Sequence, residues 1–477
     1  MNTYLFYDLE TTGLNKAFDQ ILQFAAIRTD MKLKETERCK IMVKLRPDVI
    51  PSPRAMITHR ISITDAMSGI CEFEAVKQIH GMMNTPGTIS LGYNTLAFDD
   101  EFLRFSFYRN LLPPYTHQYD NGCSRMDLFP MAILYRLYKK EGLIWPEVEA
   151  KPTLKLEHLS KANRLASGPA HDALVDVEAT VELARRFYKK QKMWDYLVGC
   201  FNKGTDRSRI ENLPISFQNT SGNHCKALMV SGKYGSKLQY QVPALSIGNS
   251  IPYGNQSLWL RLDQPQLRDT TPETIPEKTW VIRKKYGESP IVLPPFDRYL
   301  ETLNREQLST TKENQQWLKS HTELFQKIIN YHREFKYPPI DNLDVDAALY
   351  ENGFLSRKEQ ELCRKFHTIP LAEKAQLLKH FPNADTRKSA VRLIFRNYPL
   401  ESLPTGDAKY FTKAFKDYMQ QVNPSNNDNA LLDYKGERRT TPSDALVEIN
   451  RLKDEPGLDG MQIQLLDELT DYIKNSF

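Results

Sequence analysis

The spacing of hydrophobic positions changes twice along the chain and divides it into three regions. Up to about residue 195, short apolar runs alternate with stretches of helical period. Tyr4-Leu5-Phe6-Tyr7 opens a strand that runs out into Thr11-Thr12-Gly13. Residues 20–29 and 41–47 predict two further strands, and 88–94 a fourth that ends in a polar turn. Helical spacing covers 100–110 and again 172–192, where Ala173, Val177, Val181, Ala184 and Tyr188 form one stripe. Alternation of this kind predicts an α/β layer fold. From 196 to 345 the runs at 239–248, 257–263, 279–285 and 290–294 are short, β-rich and separated by Pro, Gly and Asn, which predicts a small β-barrel or sandwich. One long helix is expected there over 311–335, ahead of the linker Lys336-Tyr337-Pro338-Pro339. From 346 to 477 the pattern is helical almost throughout, broken by the polar loop 423–429.

Composition adds bounds rather than a function. A chain of 477 residues exceeds what one core usually holds, so two to four domains are expected. The hydrophobic share of 40% and charged share of 26% are those of a soluble globular protein, not of a fibre or a disordered chain. A net charge of +5 permits a local basic groove for a phosphate backbone without demanding one. The six cysteines are scattered, with no CxxC and no histidine pair at zinc spacing, the pattern of reduced thiols in a cytosolic protein. The N-terminal residues enter a strand at once, without a basic segment leading into an apolar one. No run approaches 18 apolar residues, so neither secretion nor a membrane span is expected.

Candidate chemistry sits in three acidic segments. In Asp8-Leu9-Glu10 the two carboxylates are i and i+2 on a strand, hence on one face. Like charges held so close are kept either by solvent at an exposed strand end or by a cation. The second segment, Asn94-Thr95-Leu96-Ala97-Phe98-Asp99 with Asp100 and Glu101 behind it, reads equally as a turn capping the following helix. The third, His171-Asp172-Ala173-Leu174-Val175-Asp176, opens a helix; a capping role suits Asp172, and a lone surface histidine is the ordinary reading of His171.

Together and in this order, DxE on a strand, NxxxFD and HDAxxD resemble the signature of the DEDDh exonuclease family. Within it, the segments 23–30, 92–110, 124–128 (Ser-Arg-Met-Asp-Leu), 144–147, 156–163, 349–356 and 396–399 resemble the bacterial exodeoxyribonuclease I family along nearly the whole chain. The resemblance implies three parts: an RNase H-like exonuclease domain (1–195), an SH3-like β-domain with a long helix (196–345) and an all-α C-terminal domain (346–477). It implies hydrolysis of single-stranded DNA from the 3′ end to 5′-mononucleotides, in DNA repair or recombination. Asp8, Glu10, Asp99 and Asp176 would hold two Mg²⁺ ions, with Mn²⁺ able to substitute. His171, the one nearby side chain with a reference pKa near neutrality, would be general base toward water.

The same resemblance places Glu10, Thr11, Thr12, Arg104, Tyr115, Tyr119 and Lys155 against the substrate. Stacking on the tyrosine rings would contribute roughly 1–3 kcal/mol per base, although ordinary packing explains both rings equally well. Two positions depart from the family pattern. Lys155 stands where arginine is usual and loses the two-pronged fork; Ile133 stands where a basic residue is usual. The implied partner is the acidic C-terminal tail of single-stranded DNA-binding protein, for which Arg387, Lys388 and Arg392 are candidate contacts. A monomeric cytoplasmic enzyme is expected. The alternatives are an exoribonuclease of the same family and a catalytically inactive single-strand-binding scaffold, against which the intact five-residue set argues.

Overall fold

The computed structural model describes residues 2–168, 172–219, 222–424 and 430–477. The first region is built on β1 (Thr3–Thr11), β2 (Ile21–Thr29), β3 (Glu35–Met42), β4 (Thr88–Gly92) and β5 (Ser124–Asp127). They form one mixed sheet in the order β3-β2-β1-β4-β5. β1 and β2 are antiparallel, as are β2 and β3, whereas β4 lies parallel to both β1 and β5. Strand alternation sends Tyr4 and Phe6 into one core and Leu5, Tyr7 and Leu9 into another on the opposite face. β2 is buried along its whole length because both faces are covered.

Two expected elements shift. The third strand is 35–42 rather than 41–47: it is an edge strand whose outward residues Glu35, Thr36, Glu37 and Arg38 are exposed, so apolar spacing does not mark it. The helix expected over 172–192 ends at Tyr188, and a separate helix, Gln191–Val198, turns Trp194 and Leu197 back into the core.

After a short hairpin of β6 (Glu147–Val148) and β7 (Lys151–Pro152), the middle region forms one antiparallel sheet. Its strands are β8 (Ile215–Asn219), β9 (Gly222–Val230), β10 (Gln241–Asn249), β11 (Gln256–Arg261), β12 (Val281–Lys285) and β13 (Ile291–Leu293). The order is β12-β11-β10-β9-β13, with β8 also on β9. One face of this sheet buries Leu245, Leu258 and Leu260 against Leu318, Phe325, Ile328 and Ile329. Those residues belong to two helices, Arg305–Ser320 and Thr322–Glu334, where one was expected. The first starts early because Asn304 and Gln307 form a capping box. The break falls at His321, which leaves helical geometry (φ −118°, ψ 53°).

The last region contributes six α-helices among the described residues, from Arg357–Thr368 to Gly460–Ser476. They do not form a core of their own. Phe366, Phe381, Phe395, Phe411, Leu465 and Leu466 share one core with Leu22, Met56, Ile57 and Phe73 of the first region. Beside that core lies a buried ionic network that also crosses the junction. Arg46 pairs with Asp48 (3.1 Å) and Glu72 (2.9 Å), and Arg109 with Glu72 (3.3 Å). Arg392 pairs with Asp344 and Asp346, and Arg396 with Asp346 (2.6 Å) and Asp48 (2.9 Å). Among the described residues, no helix is long and apolar enough to cross a membrane.

Candidate active site

Asp8 and Glu10 continue the alternation of Tyr4 and Phe6, so they project toward the face covered by the Ala173–Tyr188 helix. That helix is seated by its first residues. Asp172 caps it by accepting the Leu174 amide (3.0 Å) and pairs with Lys40 (2.8 Å), while the Ala173 amide donates to Gln23 Oε1 (3.0 Å) on β2. Asp176, in the first turn, is thereby carried to the end of β1. Ligand oxygens of Asp8, Glu10 and Asp176 all lie within 4.8 Å of one another. Asp99 opens the Asp99–Arg109 helix on the other face and lies outside that group of three. Of the neighbouring charges acting on Asp8, that of Asp99 is the largest.

These acids are held against their usual ionisation. Burial, followed by the charges of Asp99, Glu10 and Asp176, pushes Asp8 well up. Asp99 is likewise raised well above the carboxylate range, first by burial. Glu10 rises to about 9 through burial and the charges of Asp176 and Asp99. Among the described residues, no lysine or arginine pairs with Asp8, Glu10 or Asp99. Half-buried hard oxygens such as these, with no lysine or arginine on Asp8, Glu10 or Asp99, retain protons or take divalent cations, and the donor set suits Mg²⁺ or Mn²⁺.

The Ser124–Leu128 segment, noted in the sequence without a role, turns out to build the approach to Asp99. Asp127 accepts the amides of Asn94 (2.8 Å), Leu96 (3.1 Å) and Phe129 (2.9 Å), holding the turn before Asp99 and capping the helix after β5. Asn94 takes up the left-handed conformation this turn requires (φ 70°). Arg125 pairs with Asp100, which is fully buried and also accepts from His117 Nε2 (3.0 Å) and faces Arg104 Nε (3.2 Å). Asp100 is therefore held well below the usual carboxylate range by Arg125, Arg104 and His117 despite its burial. Asp99 and Asp100, indistinguishable as neighbouring acids in the sequence, have opposite electrostatic surroundings.

The remaining predicted residues fall in different places. Thr11 and Thr12 are buried: Thr11 Oγ1 donates to the Gly13 carbonyl (2.8 Å), and Thr12 Oγ1 accepts the Gln20 amide (2.9 Å). Their hydroxyls thus serve the turn after β1. Arg104 is packed between the rings of Tyr115 and Tyr350, 6.0 and 5.9 Å from their centres. Tyr115 is half-buried and Tyr119 exposed. Lys155 is exposed and lies 3.5 Å from Glu157. Ile133 is fully buried in the core, which explains why no basic side chain stands there. His171 lies outside the described residues. Of the basic candidates on the Ala384–Asn397 helix, Arg387 and Lys388 are exposed. Arg392 is buried on Asp344 and Asp346, so it is not available to an acidic tail.

The exonuclease family model matches residues 5–184, which contain all three acidic segments. Exodeoxyribonuclease I of Escherichia coli is 37% identical over 206 residues, covering 42% of this chain and 43% of that protein. The Haemophilus influenzae enzyme of the same name is 28% identical over 397 residues, covering 78% of this chain and 81% of its own length. Among solved structures, E. coli Exonuclease I in complex with a dT13 oligonucleotide superposes over all of both chains with a TM-score of 0.82 at 25% identity. Exonuclease I from Methylocaldum szegediense does so with a TM-score of 0.81 at 25% identity. Residues 5–184 thus match the exonuclease family model, and the chain as a whole shares the fold of Exonuclease I.

Proposed function

We propose that this protein is a metal-dependent exodeoxyribonuclease that removes 5′-mononucleotides from the 3′ end of single-stranded DNA. The observation that carries the reading is the meeting of Asp8, Glu10 and Asp176 within 4.8 Å, from a strand and a helix far apart in sequence. Asp99 joins them through its charge on Asp8. These four carboxylates would hold the Mg²⁺ ions, which would supply an activated water and offset the charge gathering on phosphorus. The chain's own residues do the rest. Asp8 and Glu10 fix the ligand face from a strand buried on both sides, Asp176 approaches it on a capped helix, and Asp99 closes it from the second helix. His171 precedes that capped helix and serves as the base that takes the proton from water. Arg104, Tyr115, Tyr119 and Lys155 receive the strand, Arg104 through a phosphate and the tyrosines through bases. Thr11 and Thr12 shape the turn at the terminal nucleotide.

The full alignment with the Exonuclease I–oligonucleotide complex supports single-stranded DNA as substrate. The division at about residues 195 and 345, a monomeric cytoplasmic enzyme, and docking of the acidic tail of single-stranded DNA-binding protein at exposed basic residues such as Arg387 and Lys388 belong to the same proposal. Digestion of end-labelled single-stranded DNA, duplex DNA and RNA of one sequence, with and without Mg²⁺, tests it. Mononucleotides released from the 3′ end of single-stranded DNA in Mg²⁺ alone are expected. Preferential loss of the RNA would instead identify an exoribonuclease, and no cleavage of any substrate a binding scaffold.

A further inference from the structure

Arg104 lies where all three regions of the chain meet. Its helix belongs to the first region; Tyr350, near the start of the last region, flanks it and donates to Glu101 (2.8 Å). The middle region reaches it through a relay of charges. Asp100 faces Arg104 Nε at 3.2 Å and takes one arm of Arg125; the other arm of Arg125 binds Glu288 in the turn between β12 and β13. That turn is itself anchored. The buried Lys284 ammonium donates to Asp206 (2.6 Å) and to the Glu288 carbonyl, and the Gly287 amide donates to Asp206 (2.8 Å). Among the described residues, the two terminal nitrogens of Arg104 carry no hydrogen bond, so the relay fixes the inner edge of the guanidinium and leaves its outer edge for a ligand.

We propose that Arg125 and Glu288 are positioning residues: the Glu288–Arg125–Asp100 relay ties the β-domain to the helix that opens with Asp99 and sets the Arg104 fork toward a phosphate of the bound strand. The inference rests on the nuclease reading and on Arg104 meeting that strand. A single buried carboxylate shared by three cationic or potentially cationic groups is a rigid reference point, because each partner removed leaves the others badly compensated. A guanidinium held by its Nε presents its two remaining nitrogens in one plane, the geometry that a phosphate accepts two-pronged. The middle region thereby contributes to substrate capture without touching the acid cluster.

The test is a double-mutant cycle on the full chain, with kcat and KM measured on labelled single-stranded DNA in Mg²⁺ and thermal unfolding followed alongside. Glu288→Gln is expected to raise KM by roughly three- to tenfold with kcat within about twofold, and to change KM by less than about twofold once Arg104→Gln is present. Arg125→Lys, which keeps one cation but not the two-armed reach, falls between wild type and Arg125→Gln. The same KM factor for Glu288→Gln in both backgrounds would mean a merely structural role and overturn the proposal. An unchanged KM in Arg104→Gln overturns it as well, while leaving the nuclease reading standing. An inactive wild-type protein would overturn the nuclease reading itself.

Discussion

The molecule contains two clusters of acids that invite comparison. At the end of β1, Asp8, Glu10 and Asp176 meet and the charge of Asp99 acts on Asp8; Asp8, Glu10 and Asp99 are raised, Glu10 to about 9. At the junction with the C-terminal helices, Asp48, Glu72, Asp344 and Asp346 are more deeply buried than the half-buried Asp8, Glu10 and Asp176, yet Asp48, Glu72 and Asp346 are held low. The difference is the supply of cations. Arg46, Arg109, Arg392 and Arg396 interleave the second group, all from the chain itself. The first has no such partners for Asp8, Glu10 or Asp99. A buried carboxylate group that the fold neutralises is architecture; one that the fold leaves charged or protonated awaits something from outside. Asp99 and Asp100 draw that line between adjacent residues.

The comparison breaks most visibly at Asp176. Asp176→Ala is expected to abolish cleavage in Mg²⁺ while single-strand binding, read by fluorescence anisotropy, persists; full turnover in this variant would remove the acid cluster from the chemistry. His171→Ala is expected to slow hydrolysis by roughly 10²–10⁴, the size of a general-base contribution, in single-turnover measurements. An unaltered rate would take that role away from His171.

At the ionic junction the expected loss is stability instead. Arg396→Met leaves Asp48 and Asp346 short of a partner and is expected to cost about 3–5 kcal/mol in denaturant unfolding. A cost near zero would show that the remaining arginines compensate on their own. The smallest effect is on pH dependence, and its sign separates the two groups. Glu10 binds its proton more tightly folded (about 9) than at its ordinary value of 4.5. Its contribution to stability is therefore fully present below pH 4.5 and is lost as pH rises toward 9. The acids of the junction, with folded values depressed, act the other way: their contribution is present at neutral pH and disappears only in strong acid. Melting temperature in EDTA should fall from pH 6 to pH 9 and flatten when Mg²⁺ is added; an identical slope with and without the ion would contradict cation binding at Glu10.

How much of this was legible in the sequence depended on how local the signal was. The DxE pair and the Asp172-capped helix carry their geometry in short-range spacing, so the sequence located them and the fold brought them together. Edge strand β3 was misplaced because its exposed polar residues erase the apolar alternation. The relay through Asp100, Arg125 and Glu288, and the pairing of Asp48 with Arg396, join residues separated by long stretches of chain, and no local pattern announces them. Arg392 illustrates the cost: by spacing it is one more basic residue on a polar helix, whereas its partners bury it. Ser124–Leu128 was noticeable as a motif, but only the tertiary contacts say that Arg125 and Asp127 act on the segment around Asp99.

The core shared between Phe73 and the C-terminal helices has a consequence for how such a protein can change over time. A catalytic unit that closes its own interior can be cut out, duplicated or grafted onto other chains. Here the apolar seam of the first region is completed by residues far along the chain, such as Phe366 and Leu466, so severing the two regions would strip both of their inner surfaces. The two regions are therefore expected to fold and persist as one unit.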